Sequence, residues 1–231
     1  MDEPTLIAAA QQGDREAFNE LVVHYQSLTY NVAYRVLGSQ DAAADATQDA
    51  FLAAYRAIRG FRGGSFRAWL MRIVTNACYD QLRAKKRQPT SPLDPDPDQE
   101  LEEWVMDAGE RPEEYAERQD LGRIIQRGLD TLPPDQRTIV VLSDIQGMSY
   151  DEVAQSTGLA LGTVKSRLNR GRSKLRDFLM RNQELLPGRY RLHDETAGIG
   201  GLGNILLDCT ATRCAIQLLG RLLRRGVGNY D

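Results

Sequence analysis

Four prolines, Pro89, Pro92, Pro95 and Pro97, fall close together in the stretch PTSPLDPDPDQELEE, and they divide the chain. Each lacks a backbone N–H and carries a ring that clashes with the preceding turn, so no helix propagates through them. The surrounding composition is equally restrictive: residues 89–120 carry 12 Asp and Glu against 2 Lys and Arg, too polar a segment to bury a core. This is read as a linker, and 231 residues with 42% apolar composition leave enough chain on its two sides for two small packed domains.

The overall net charge of −3 conceals how charge is distributed. Residues 1–88 hold 11 basic and 9 acidic side chains, and residues 121–231 hold 16 and 11. Both flanks of the acidic linker are therefore basic, and its carboxylates should repel a polyanion while acting as a solvated spacer.

The first 88 residues show helical rather than strand periodicity. Asp14 is placed to cap a helix in which Phe18, Leu21, Val22, Tyr25, Leu28, Val32 and Val36 recur at three- and four-residue steps, with Gly38 as its stop. Ser39 is placed to cap a second amphipathic helix ending near Gly60. After the loop RGGS, Ser65 is placed to cap a third, FRAWLMRIVTNACYDQLRAKKR, with Phe66, Trp69, Leu70, Ile73, Val74, Ala77 and Leu82 mostly on one side. Trp69 is assigned to the core by that spacing.

Beyond the linker the helices shorten. DLGRIIQRGLDTL, PPDQRTIVVLSDIQG and SYDEVAQSTG are separated by turn signals, with Pro133 and Pro134 suited to a helix start and Gly147 and Gly158 to helix stops. Ser149 and Glu152 have capping-box spacing. A short helix, the turn GLA and a longer basic helix make a helix-turn-helix.

On a helical wheel centred on Val164, the residues Leu168, Gly171, Leu175, Phe178 and Leu179 form the core seam. Ser166, Asn169 and Ser173 point the other way, flanked by Lys165, Arg170, Arg172 and Arg176. Small polar groups between long cations can bring hydrogen bonds to base edges and charge to phosphates. No acidic residue interrupts the run from Gly162 to Arg176, which holds six basic ones, and a solvated helix would usually mix signs. DNA contact is the expectation for this helix.

Other chemistries find little support. There is no apolar run long enough to span a membrane and the N-terminus is acidic, so a cytoplasmic protein without membrane insertion is expected. Cys78, Cys209 and Cys214 form no CxxC pair, and His193 with the last two has irregular spacing for zinc. The run GIGGLG has neither the lysine nor the strand of a phosphate loop. No nucleophile with a base stands out, so no enzymatic activity, cofactor or metal is expected. Cys214 to Arg225 could form a basic amphipathic helix, in a tail whose role stays open.

Over residues 14 to about 182 the chain resembles the extracytoplasmic-function (ECF) sigma factors, bacterial subunits that direct RNA polymerase to promoters. The resemblance implies an all-α fold of two small helical domains joined by the acidic Pro-rich linker. Residues 1–88 would be a region 2-like domain, 89–120 the linker threading toward the polymerase interior, 121–186 a region 4-like helix-turn-helix domain, and 187–231 a tail. Within DAAADATQDAFLAAYRAIRGF, the residues Asp45, Gln48, Asp49 and Phe51 stand where the family contacts the coiled coil of the largest subunit of core polymerase. Asn76, Asp80 and Arg83, followed by Lys85 and Lys86, fall in a stretch similar to the promoter-melting, minus-ten-reading region. GTVKSRL followed by RGR is the most specific part, and it implies minus-thirty-five contacts by Lys165, Ser166, Asn169, Arg170 and Arg172. Ala160 departs from the family, where a capping Ser often stands. An anti-sigma factor is a further partner the family implies. Read from the helix-turn-helix alone, an operator-binding regulator acting without core polymerase stays open, as does a polymerase adaptor that has lost DNA contact.

Overall fold

The computed structural model describes residues 2–87 and 112–186, and every regular element among them is helical. In chain order these are α1 (Glu3–Gln11), α2 (Arg15–Leu37), α3 (Gln40–Ala57), α4 (Phe66–Arg87), α5 (Pro112–Asp130), α6 (Pro134–Val140), α7 (Tyr150–Thr157) and α8 (Leu161–Arg181). A 3₁₀ turn, Ile58–Gly60, follows α3, one π turn, Val141–Ile145, follows α6, and a second 3₁₀ turn, Gln183–Leu185, follows α8. The described residues form two compact units: one holds residues 2–87 with 149–161, the other 112–148 with 162–186.

The first unit is built where the local signals put it. The Asp14 carboxylate accepts from the Glu16 and Ala17 amides, Ser39 from Ala42 and Ser65 from Ala68. These caps satisfy donors that the first turn leaves without intrahelical partners. Gly38 closes α2 at φ 71°, a left-handed conformation that costs glycine nothing. The helix α1 was not apparent in the sequence. Nine residues rarely hold a helix alone, and α1 is held by packing: Leu6 and Ala10 are buried. Gln11 donates to the carbonyls of Ile58 and Phe61 at 3.2 and 2.7 Å, and the Tyr25 hydroxyl bonds Glu3.

The buried seam of α3 consists of alanines, Ala43, Ala46, Ala50 and Ala54. Residues without side-chain bulk let α2 and α4 approach α3 closely, and the larger apolar residues of α3 turn partly or wholly outward. Trp69 is half-buried in a ring cluster with Phe61 and Phe66, centroids 5.4 and 5.3 Å away. Cys78 is fully buried, and burial pushes its thiol up to about 12.

Helix α7 belongs to this unit because it packs on α4. Its capping box is complete: Ser149 Oγ accepts from the Glu152 amide and Glu152 accepts from the Ser149 amide. Gly158 ends the helix at φ 68°.

In the second unit, Pro134 occupies the first position of α6 and Gly147 leaves the π turn at φ 69°. Leu121, Ile125 and Leu129 of α5, Ile139 to Leu142, and Leu168, Leu175 and Leu179 of α8 are buried. Two glycines mark where helices meet closely. A Cβ at Gly171 would stand 2.7 Å from Val140 Cγ2, and one at Gly128 would stand 2.6 Å from Leu175 Cδ1. Helix α5 starts at Pro112, so residues 112–120, assigned to the linker from composition, are helical. Pro112 suits a first helical position and no further proline follows until Pro133.

Candidate nucleic-acid and protein interface

Asp45, Gln48 and Asp49 are exposed on α3, and their three- and four-residue spacing sets them on one face. Phe51 is half-buried. The same face carries two residues the sequence reading passed over, Leu52 and Tyr55, which are 47% and 40% exposed. Periodicity alone could not separate them from the core, because the core seam of α3 is alanine. An acidic and amide-bearing face with apolar groups beside it is suited to a basic amphipathic helix of a partner.

A cleft of about 640 Å³ separates α3 from α4. Asp49 lines one wall, Asn76, Asp80 and Gln81 the other, over a floor that includes Ala50 and Ala77. The residues expected to meet protein and those expected to meet DNA thus share one groove. Asp80 holds Arg83 at 2.5 Å, one turn along α4, with both side chains largely in water. Exposed i,i+3 pairs contribute only a few tenths of a kcal/mol, about 0.2–0.5, so this one orients Arg83 more than it stabilises the helix. Arg83, Lys85, Lys86 and Arg87 are all exposed, making the end of α4 a cationic surface.

On α8, Lys165, Ser166, Asn169 and Arg170 are exposed, while Val164, Leu168, Leu175 and Leu179 are buried. The Arg170 Nε donates to the Ser166 carbonyl at 3.3 Å, and the Ser166 hydroxyl donates to the Thr163 carbonyl at 3.0 Å. Both contacts lie within the helix, so these groups can turn to an incoming base edge or phosphate without breaking the core.

Arg172 behaves differently from the DNA contact assigned to it. It is 5% exposed, and its guanidinium bonds both oxygens of Asp144, Nε to Oδ2 at 2.9 Å and Nη2 to Oδ1 at 2.5 Å. The π turn of residues 141–145 is buried throughout and carries Asp144 inward. The charge of Arg172 is neutralised inside the second unit and is not presented at the outward face of α8. Arg167 is half-buried and pairs with Asp135 at 3.3 Å.

Among the described residues, no group of three or more His, Cys, Asp or Glu could hold a metal ion, and no helix is long and apolar enough to cross a membrane. The zinc candidates His193, Cys209 and Cys214, the run GIGGLG, the four linker prolines and the basic stretch 214–225 lie outside the described residues.

Comparison with known proteins decides among the regulators that such a surface could serve. Residues 21–88 match Sigma-70 region 2, and residues 122–175 match Sigma-70, region 4. The chain is 38% identical over 185 residues to the ECF RNA polymerase sigma factor SigE of Mycolicibacterium smegmatis, covering 78% of this chain and 70% of that one. It is 35% identical over 178 residues to the ECF RNA polymerase sigma-E factor of Escherichia coli K12, covering 76% and 93%. The chain belongs to the ECF sigma factor family.

As an ECF sigma factor it binds core RNA polymerase and directs promoter-specific initiation of transcription. An operator-binding regulator acting without polymerase does not account for the region 2 match, so that reading is set aside. Among solved structures, CnrH in complex with the cytosolic domain of CnrY shares the fold at a TM-score of 0.56 and 30% identity, covering 76% of this sigma factor and 95% of CnrH. The sigma factor RpoE from Bartonella quintana, solved with the anti-sigma factor NepR, shares it at 0.53 and 24%, covering 70% and 96%.

Proposed function

We propose that this sigma factor divides its work among three surfaces. The α3 face of Asp45, Gln48 and Asp49, with Phe51 beside it, docks on the coiled coil of the largest polymerase subunit. Asn76 and Asp80 of α4, with Arg83, Lys85 and Lys86 behind them, read the minus-ten element as it opens. Lys165, Ser166, Asn169 and Arg170 of α8 read the minus-thirty-five element in the major groove, and Arg172 sets the attitude of α8 from within.

The observation that carries this reading is the clean division of α8 into a buried apolar seam and an exposed face of two cations, a hydroxyl and an amide. Amide and guanidinium groups pair with purine edges in two-point contacts, and the neighbouring cations meet phosphate. The minus-ten element is read as an opened strand, whose unstacked bases offer edges that an amide such as that of Asn76 can bond. Bond formation belongs to polymerase, and the sigma factor contributes address and melting. Working with bacterial polymerase places it in the cytoplasm, and family membership makes an anti-sigma factor the expected inhibitory partner.

The protein-facing assignment is tested by reversing charge on α3. The pair Asp45→Lys and Gln48→Lys is expected to weaken binding to purified core polymerase at least about tenfold in a fluorescence anisotropy titration. Unchanged affinity would remove the α3 face from the interface.

A further inference from the structure

Helix α7, the first helix of the helix-turn-helix, is fastened to the first half of α4 through hydroxyl groups. Ser156 is 1% exposed, and its hydroxyl donates to the Ala68 carbonyl at 3.0 Å and to the Glu152 carbonyl at 2.8 Å. Thr75 Oγ1 donates in the other direction, to the Ser156 carbonyl at 3.5 Å. Ser65, which caps α4 through the Ala68 amide, also bonds the Glu152 carboxylate at 3.4 Å, and that same residue closes the capping box of α7. The N-terminal ends of the two helices are therefore tied through one carboxylate.

This contact bears on promoter reading because of distance. Thr75 directly precedes Asn76. From Ser156 to Asn169 the chain passes a short turn and two turns of α8, a path of no more than about 30 Å. Adding about 10 Å for the packed helix pair bounds the separation of Asn76 and Asn169 near 40 Å while α7 is docked. The minus-ten and minus-thirty-five elements are separated, by their names, by about 25 base pairs, or roughly 85 Å of duplex.

We propose that the α4–α7 contact is a latch, an autoinhibited closed state that must release before one molecule reads both promoter elements. The inference rests on the assignment of α4 and α8 to those two elements. Its fastenings suit release: hydroxyls and a carboxylate that can turn to water leave no buried charge behind when the helices part.

The test is a reversible lock on the full chain. Ser65→Cys with Glu152→Cys, on a background with Cys209→Ser and Cys214→Ser, is bridged by a short bis-maleimide containing a reducible disulfide. Cys78 is buried and does not compete. The pair is expected to link rapidly within the free protein. The linked protein should lose run-off transcription with core polymerase at least about tenfold, because a state that cannot open has no competent fraction, and reduction should restore it. A second pair, Ala68→Cys with Ser156→Cys, oxidised directly to a disulfide, leaves both caps intact and is read in the same way. Failure of both pairs to join in the free chain, or full activity of the joined protein, would overturn the latch. Wild-type protein is assayed in parallel: absence of factor-dependent initiation there would count against the promoter-reading assignment itself, whereas wild-type initiation with an equally active locked form would count against the latch alone.

Discussion

The guanidinium of Arg172 grips the carboxylate of Asp144 at both oxygens, with side chains 6% and 0% exposed. The pair joins the recognition helix to the π turn after α6. A buried ion pair of this kind contributes little over a hydrophobic replacement, but removing one partner strands a charge in the core. Arg172→Ala or Asp144→Ala is expected to destabilise the second unit by about 3–5 kcal/mol. The double replacement Arg172→Met with Asp144→Leu should cost clearly less than the two single changes combined. Urea unfolding followed by hydrogen exchange in α6 and α8 measures both.

The exposed residues of α8 separate by role. Asn169→Ala or Arg170→Ala should cost about 1–3 kcal/mol at the upstream element and relax its sequence preference, whereas Lys174→Ala, also exposed, should weaken all duplexes alike. Anisotropy titrations of the polymerase-bound factor on matched and mismatched promoters at fixed salt make the comparison.

Gly171 is needed for close packing rather than for backbone conformation. Its added methyl would stand 2.7 Å from Val140 Cγ2, on a β-branched residue that is fully buried and stiff at χ1. Overpacking costs about 1–3 kcal/mol and better helix propensity returns about 1, so Gly171→Ala should destabilise by roughly 1–2 kcal/mol in thermal or urea unfolding.

Glu152 is the group whose titration bears on α7. Hydrogen bonding from the Ser149 amide, opposed by partial burial and aided by the Ser149 hydroxyl, Arg67 and Ser65, holds its carboxyl below the usual range. A depressed folded-state value means stability that is present above the unfolded value and lost as pH falls through the folded one. The stability advantage of wild type over Glu152→Gln should therefore be full near neutrality and shrink on acidification. Parallel urea titrations across the acidic range check the sign.

What the sequence disclosed was local. Asp14, Ser39, Ser65 and Ser149 cap the helices they precede, and Gly38 and Gly158 end theirs, because capping and left-handed closure are decided within a few residues. The outward face of α8 was legible for the same reason. Arg172 was misplaced because a wheel sets it about 80° from the Val164 seam, at the border of core and solvent. Its partner lies 28 residues away on a turn that the helical pattern does not mark as π. Leu52 and Tyr55 were passed over because hydrophobicity ranks them above the alanines that actually fill the α3 seam. The docking of α7 on α4 depends on hydroxyls more than 80 residues apart, with no periodic signature.

The central claim, that one chain bound to core polymerase reads two promoter elements through α4 and α8, is tested most directly by run-off transcription. Purified core polymerase and the full-length factor are presented with a promoter carrying both elements and with versions in which either is scrambled. Factor-dependent transcripts that require both elements, and that fall at least about tenfold when either is lost, are the predicted result. Duplex binding without initiation, or initiation indifferent to the upstream element, would contradict it.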